Sequence, residues 1–414
     1  MALRLLISKV RANCRELLRF WGRTVSRWRN WSGRLTCEPA ALHFARSVED
    51  IQALISGSAA AGHKIRPAGA GHSHSPIVLS DEVIVDFSGL SGVVEVDREA
   101  KSAWIRAGSP IYTLGAQLHE HGLALKNQGD IDRQFLAGAI STGTHGTGIN
   151  LQNLSASVLG LQLVLANGDH VQCNKANEAD LFEAARLGFG SVGLITAVEM
   201  ELAPAQVLRE GGWQANLDEL VDQIPALCER HERFEFFWFP QSDLATVKTI
   251  EQVEEEPQYP LAAEGQRQAF SFEVLPSHRP NRHTEMEYSV PAELGPECLN
   301  SIAHLLRSDF PEVSWPVEYR TVAADEVWLS MAYGRPTVTI SVHQDIREPD
   351  EPYFRACEEI FRHFEGRPHW GKVNYLEGRD FPKIYEQWEK WWGVRNEVDP
   401  AMVFLNTWAE SIRP

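Results

Sequence analysis

No segment constrains this chain more than Gly138-Ala-Ile-Ser141-Thr142-Gly143-Thr144-His145-Gly146-Thr-Gly148. Small residues and hydroxyls at this density let consecutive backbone N–H groups close around a phosphate or a flavin. A second such run, Pro67-Ala-Gly69-Ala70-Gly71-His72-Ser73-His74-Ser75, lies upstream behind the basic Arg66. Two cradles can grip one long ligand at separate points, which is how a dinucleotide is held without a Rossmann turn. The formal G-x-G-x-x-G match, Gly188-Phe-Gly190-Ser-Val-Gly193, does not supply that turn. Its fingerprint needs a strand before the glycines and a helix after them, so that pyrophosphate meets the helix N-terminus. Here a helical stretch over 180–187 precedes and the β-branched run Leu194-Ile-Thr-Ala-Val follows, so nicotinamide is not expected at this loop.

A chain of 414 residues, 43% of them hydrophobic, predicts two domains. The net charge of −17 argues against nucleic-acid binding, which needs a basic face to neutralise phosphates. Six cysteines without a Cys-x-x-Cys pair argue against a disulfide framework and a zinc finger, and point to a reducing, cytoplasmic setting. Residues 1–30 break the acidic pattern: Arg4, Lys9, Arg11, Arg15, Arg19, Arg23, Arg27 and Arg29 stand against Glu16 alone. Arginines at every fourth position from Arg11 to Arg27, with Leu17, Leu18, Phe20, Trp21 and Val25 off the stripe, describe a basic amphipathic helix. Such an arm lies peripherally on an anionic membrane surface, acts as a targeting arm, or is a solvated helix docked on the acidic body. Its apolar runs are too short to span a bilayer.

The expected organisation is an arm over 1–31, a first domain over 32–205 and a second α+β domain over 206–414, whose apolar tail Asp399-Pro-Ala-Met-Val-Phe-Leu-Asn406 docks back on the first. Ser47 caps a helix running through 48–55, and strands follow at 83–87, 92–96 and 103–107. A helix over 113–121 ends at Gly122, and Asn167-Gly168 turns a hairpin. The second domain opens with an amphipathic helix over 216–230, continues with strands over 233–239 and 284–290, and carries a solvated acidic loop over 251–266.

In Val317-Glu318-Tyr319-Arg320-Thr321, alternation places Glu318 and Arg320 on one strand face. Taken alone this is a structural ion pair. Thr337-Val-Thr339-Ile-Ser341-Val-His343 adds a row of hydroxyls and an imidazole on one face, with Val338, Ile340 and Val342 opposite. Glu318, Arg320, His343 and Lys372 together offer donors and acceptors for a polyhydroxylated substrate and cations for developing negative charge. No metal site is expected, because His72, His74, His119, His121 and His145 do not combine at a recognised ligand spacing. No G-x-S-x-G elbow for a serine hydrolase is present.

Several pieces, in order, resemble the sugar-1,4-lactone oxidase and dehydrogenase family of vanillyl-alcohol-oxidase-type flavoproteins, with alditol oxidases close behind. They are Ala70-Gly71-His72-Ser73, Asn127-Gln128-Gly129-Asp130, Ser141 to Gly148, Thr284-Glu-Met-Glu-Tyr288, Val317 to Arg320, Ala332-Tyr-Gly-Arg335 and His369-Trp-Gly-Lys372. The resemblance implies an α+β fold: a two-subdomain PCMH-type FAD-binding domain followed by an α+β cap domain over the substrate. It implies FAD, either bonded covalently to His72 or packed beside it, in a site formed by Gly69, Ala70, Gly71, His72, Ser73, His74, Asp130, Gly138, Ser141, Thr142, Gly143, His145, Gly146 and Ile195. Glu318, Arg320, Lys372 and His343 are the implied catalytic residues. The implied partners are a sugar lactone or a polyol, and dioxygen or another electron acceptor. A flavin-binding protein without catalysis is the alternative from a different class.

Overall fold

The computed structural model describes residues 27–414, so the basic helix expected between Arg11 and Arg27 lies almost wholly outside the described residues. Helix Val48–Ala61 begins where Ser47 accepts the Asp50 N–H at 3.1 Å and ends at Gly62 in the left-handed region, φ 73°. It connects the first two strands of a small parallel sheet in which Val83–Asp86 runs between Ala41–Phe44 and Ile65–Ala68. A second, antiparallel sheet has the order His170–Asn174, Val158–Val164, Leu194–Pro204, Ser102–Arg106, Val93–Asp97, with Leu123–Leu125 added along Leu194–Pro204. The expected hairpin pairs His170 with Val164 around Gly168. Around Gly188 to Gly193 a helix, Ala179–Arg186, precedes and the strand Leu194–Pro204 follows, the reverse of a Rossmann turn.

The third sheet has eight strands in the order Gln268–Phe270, Val207–Asn216, Leu244–Val253, Arg233–Phe239, Val317–Val322, Thr337–Asp345, His283–Pro291, Arg367–Pro368. Alternation sorts its central strands cleanly. Phe236, Met286, Tyr288, Val317, Tyr319, Val338, Ile340 and Val342 pack under helices Gly295–Ser308 and Glu351–His363. Each such side chain, fully buried, contributes roughly 1.5–3 kcal/mol. The opposite face carries charge and hydroxyls, yet Glu235, Lys248, Glu285, Glu287, Glu318, Arg320, Ser341 and His343 are buried as well. That face is shielded from bulk solvent and borders the cavity described below.

Two expectations need correction. The helix expected over 216–230 is two short helices, Leu217–Val221 and Ile224–Arg230. Pro225 has no N–H for the carbonyl four residues back and its ring crowds that carbonyl, so it sits in a first turn instead. The acidic segment 251–266 is not all solvated loop: Leu244–Val253 continues as strand, and Glu264, Gly265 and Gln266 border the cavity described below.

The C-terminal chain packs into the first module. Trp370, Trp388, Trp391, Phe404 and Leu405 share one core with Ile55, Ile65, Leu161 and Phe182. Ile65 N–H donates to the Val403 carbonyl at 2.8 Å, and Asn406 Nδ2 donates to the carbonyls of Pro76, Ile77 and Leu79. Arg66, expected beside the ligand cradle as its basic residue, belongs to this seam. Its fully buried guanidinium donates to Ile77 O (2.8 Å), Phe189 O (2.7 Å), Ser191 Oγ (3.1 Å) and Phe404 O. Burial, with the Arg395 charge nearby, pushes it down to about 9.

Candidate active site and cofactor cavity

A cavity of about 910 Å³ runs from the two small-residue loops to the polar face of the eight-stranded sheet. Gly69 to Ser73 line it from the first loop, and Gly138, Ser141, Thr142, Thr144 and His145 from the second. Asp130 and Ile195 also line it. Phe189, Gly190 and Gly193 join them, so the reversed glycine loop borders the cavity although it cannot bind a nucleotide in Rossmann fashion. Gly190 adopts φ +70°, and a Cβ there would stand 2.4 Å from Pro67, so this glycine lets the two loops touch.

The other glycines divide by what they face. A Cβ on Gly138 would meet nothing within 4 Å, because the cavity continues past it. At Gly146 a Cβ would stand 2.3 Å from the Gln128 carbonyl, and Gly143 backs onto Met331 and Leu187. Gly143, Gly146 and His74, expected at the cofactor, therefore stand outside the lining. His72 lines it and stacks on Trp31 with ring centroids 5.5 Å apart. The open ground at Gly138, the small-residue loops along the cavity wall and the size of the space fit an extended dinucleotide, with backbone N–H groups rather than a basic side chain as its holders.

Glu318, Arg320, His343 and Lys372 all line the same cavity. Arg320 Nη2 lies 2.7 Å from Glu318 and 3.3 Å from Glu287. Glu287 also accepts from Ser341 Oγ at 2.6 Å and lies 2.9 Å from His145 Nε2. Lys372 Nζ donates to Glu285, which pairs in register with His343 across neighbouring strands. The His343 Nδ1 proton goes to the Pro316 carbonyl at 2.8 Å, leaving Nε2 with a free lone pair. Asp130 lines the cavity, but Lys248 (3.4 Å) and Arg279 (2.7 Å) engage its carboxylate, tying the loop that bears it to the eight-stranded sheet.

Acids outnumber cations here: Asp130, Glu235, Glu285, Glu287 and Glu318 face Lys248 and Arg320, both buried, and the partly exposed Arg279 and Lys372. One of them keeps its proton. Burial first, and then the charges of Asp130, Glu235 and Glu285, push Glu318 up to about 8 although Arg320 opposes them. Against its own burial, Glu285 is held well below the usual carboxylate range by the Lys372 ammonium, and Glu287 is held low by its contact with His145 and by Arg320. Burial brings His343 and His72 down to about 4 and His369 to about 3, so all three are neutral near pH 7.

Glu285 and Glu287 received no role from the sequence, although they lie in a matched motif and alternate as Glu318 and Arg320 do. Lys248, Glu235 and Arg279 carried no local signal. Among the described residues, three groups of histidines and acids bring ligand atoms within 4.8 Å of one another: His74/His283/Glu285, His145/Glu287/His369 and Glu285/Glu318/His343. Each joins distant segments, which a search for ligand spacing along the chain does not see. His119 is not among them, since its ring packs on Phe270 at 4.0 Å.

Residues 198–270 and 258–412 match the family profile described as D-arabinono-1,4-lactone oxidase, and residues 39–174 match an FAD-binding domain. L-gulono-1,4-lactone dehydrogenase of Mycobacterium tuberculosis is 33% identical, over 93% of this chain and 98% of its own. L-gulonolactone oxidase of Mus musculus is 28% identical over 93% and 98%, and an alditol oxidase of a Streptomyces species 28% over 92% and 98%. Cholesterol oxidase from Brevibacterium sterolicum superposes with a TM-score of 0.83 over 94% of this chain and 96% of its own, at 16% identity, a likeness of fold. The cofactor suited to the cavity is FAD, and the chain belongs to the D-arabinono-1,4-lactone oxidase family.

Proposed function

We propose that this protein oxidises a CH–OH group of an aldono-1,4-lactone to the keto-lactone, which tautomerises to an enediol. The observation that carries the reading is the convergence of Glu318, Arg320, His343 and Lys372 on the cavity that the FAD-binding loops open into. Bound FAD supplies the hydride acceptor. Neutral Glu318 donates a hydrogen bond to a substrate oxygen and orients the carbon to be oxidised. The free lone pair of His343 Nε2 accepts the hydroxyl proton. Arg320 and Lys372 stabilise negative charge as it develops, and Glu287 and Glu285 hold those cations in place.

Gly69 to Ser73, Gly138, Ser141, Thr142, His145 and Ile195 are the proposed FAD contacts, with His72 as the covalent attachment point. A neutral imidazole at the cavity wall is a competent nucleophile toward the flavin ring substituent. Gly143, Gly146, His74 and Asp130 support these loops. The proposed division into 32–205 and 206–414 follows the change from the smaller sheets to the eight-stranded one.

Anaerobic titration of the FAD-loaded protein tests the reading. Flavin bleaching by gulono- or arabinono-1,4-lactone is expected. Bleaching by xylitol or sorbitol alone would make it an alditol oxidase, and no bleaching by either would leave a non-catalytic flavoprotein. Yellow colour retained in an acid precipitate of the wild type and lost in His72→Ala is expected for the covalent bond. The setting is proposed to be cytoplasmic, consistent with free Cys37, Cys173, Cys228, Cys298 and Cys357. Among the described residues no helix is long and apolar enough to cross a membrane. Residues 1–30 are proposed to bring the enzyme to an anionic membrane and its electron acceptor. Their removal should abolish vesicle binding; unchanged binding and acceptor turnover would end that idea.

A further inference from the structure

Three imidazole nitrogens surround the Glu285 carboxylate at distances too long for hydrogen bonds. His283 Nε2 lies 3.6 Å and His74 Nε2 3.9 Å from Oε2, and His343 Nε2 lies 3.7 Å from Oε1. Tautomers sharpen the picture. His283 Nδ1 faces the Asn281 carbonyl at 3.0 Å, which can only accept, so the ring proton resides there and the Nε2 lone pair points at the carboxylate. His74 is buried with Nδ1 unpartnered, so Nε2, which faces the carboxylate, is its one directed ring nitrogen. The ammonium of Lys372, on Oε2, is the cation now present.

We propose that His74, His283 and Glu285 form a binding site for a divalent ion of zinc type, and that its occupation displaces Lys372 and closes the substrate end of the cavity. Two imidazoles and a carboxylate are a borderline-soft N/O set suited to zinc, with a fourth position left open. Metal–ligand bonds of about 2.0 Å place tetrahedral ligand atoms about 3.3 Å apart. The two separations to Glu285 Oε2, 3.6 and 3.9 Å, need a few tenths of an ångström of closure, and all three ligand atoms already lie within 4.8 Å of one another. The carbonyl that fixes the His283 ring is the outer support such a ligand needs. Bound zinc would take from Lys372 the carboxylate that positions it, so metal and substrate exclude each other.

The test uses the full-length, FAD-loaded protein and Zn2+ alone as probe. Equilibrium dialysis with metal analysis should find one zinc per chain. His283→Phe, which keeps ring size and removes the ligand, should weaken that binding at least about tenfold. His74→Phe should weaken it likewise. In steady state zinc should raise KM for the lactone and leave kcat unchanged, and His283→Phe, measured against its own metal-free KM and kcat, should resist this. Zinc uptake equal in wild type and both variants would mean adventitious surface binding and overturn the site. Stoichiometric uptake with unchanged KM would overturn the closure. The competition arm rests on the lactone reading, whereas dialysis needs no substrate, so failure of one is distinguishable from failure of the other.

Discussion

Glu318 shows what burial does to one residue. In water its carboxyl would be ionised at neutral pH; among Asp130, Glu235 and Glu285 it is raised to about 8. It is a neutral donor below that pH and a carboxylate drawn to Arg320 above it. We expect kcat/KM for the lactone to fall as pH rises through about 8, and Glu318→Gln, which keeps a neutral donor, to flatten that limb. A profile unchanged in Glu318→Gln would remove Glu318 from substrate orientation. The glycines of the 138–148 run make a second residue-scale test. Gly138→Leu should fold and fail to retain FAD, since its side chain enters open cavity. Gly146→Ala should lower Tm by driving a methyl group into the Gln128 carbonyl, at a cost of at least about 1–3 kcal/mol. Composition marked both as cradle glycines; only their surroundings separate cofactor approach from packing.

At the scale of elements, period-two alternation was readable because a strand's faces are set by residue order alone. Val317–Val322 and Thr337–Asp345 present the expected sides. The break in the helix expected over 216–230 is also legible in Pro225, although the apolar stripe continues across it. Arg66 was not readable, since a basic residue before a glycine loop suggests a phosphate and nothing local shows that its partners are carbonyls of Ile77, Phe189 and Phe404. Replacing it removes charged hydrogen bonds and leaves buried carbonyls without donors. Arg66→Met should destabilise by at least about 3 kcal/mol in a denaturant melt. If stability were unchanged, the seam between the C-terminal chain and the first module would be held by its aromatic packing alone.

For the whole molecule, the buried neutral histidines set the response to acid. The folded values of His72 and His343 are near 4 and that of His369 near 3, below the ordinary 6.5, so the unfolded chain binds protons that the folded one refuses. Their contribution to stability is present above about pH 6.5 and is lost as pH falls toward 4. The Tm of the FAD-free protein should drop across that window, and replacing His369 by Phe should reduce the slope. A Tm independent of pH between 6.5 and 4 would contradict neutral burial.

Residue order by itself determined the two small-residue loops, the strand faces and the reversed glycine loop, because each depends on neighbours a few positions apart. Only the tertiary structure decided that Lys372 meets Glu285 across 87 residues and that His145 meets Glu287 across 142. Those meetings depend on strand pairing and on the return of the C-terminal chain, and the same burial turns an ordinary glutamate into an acid that keeps its proton. Coulomb and desolvation energies follow distance in space, which position along the chain does not specify.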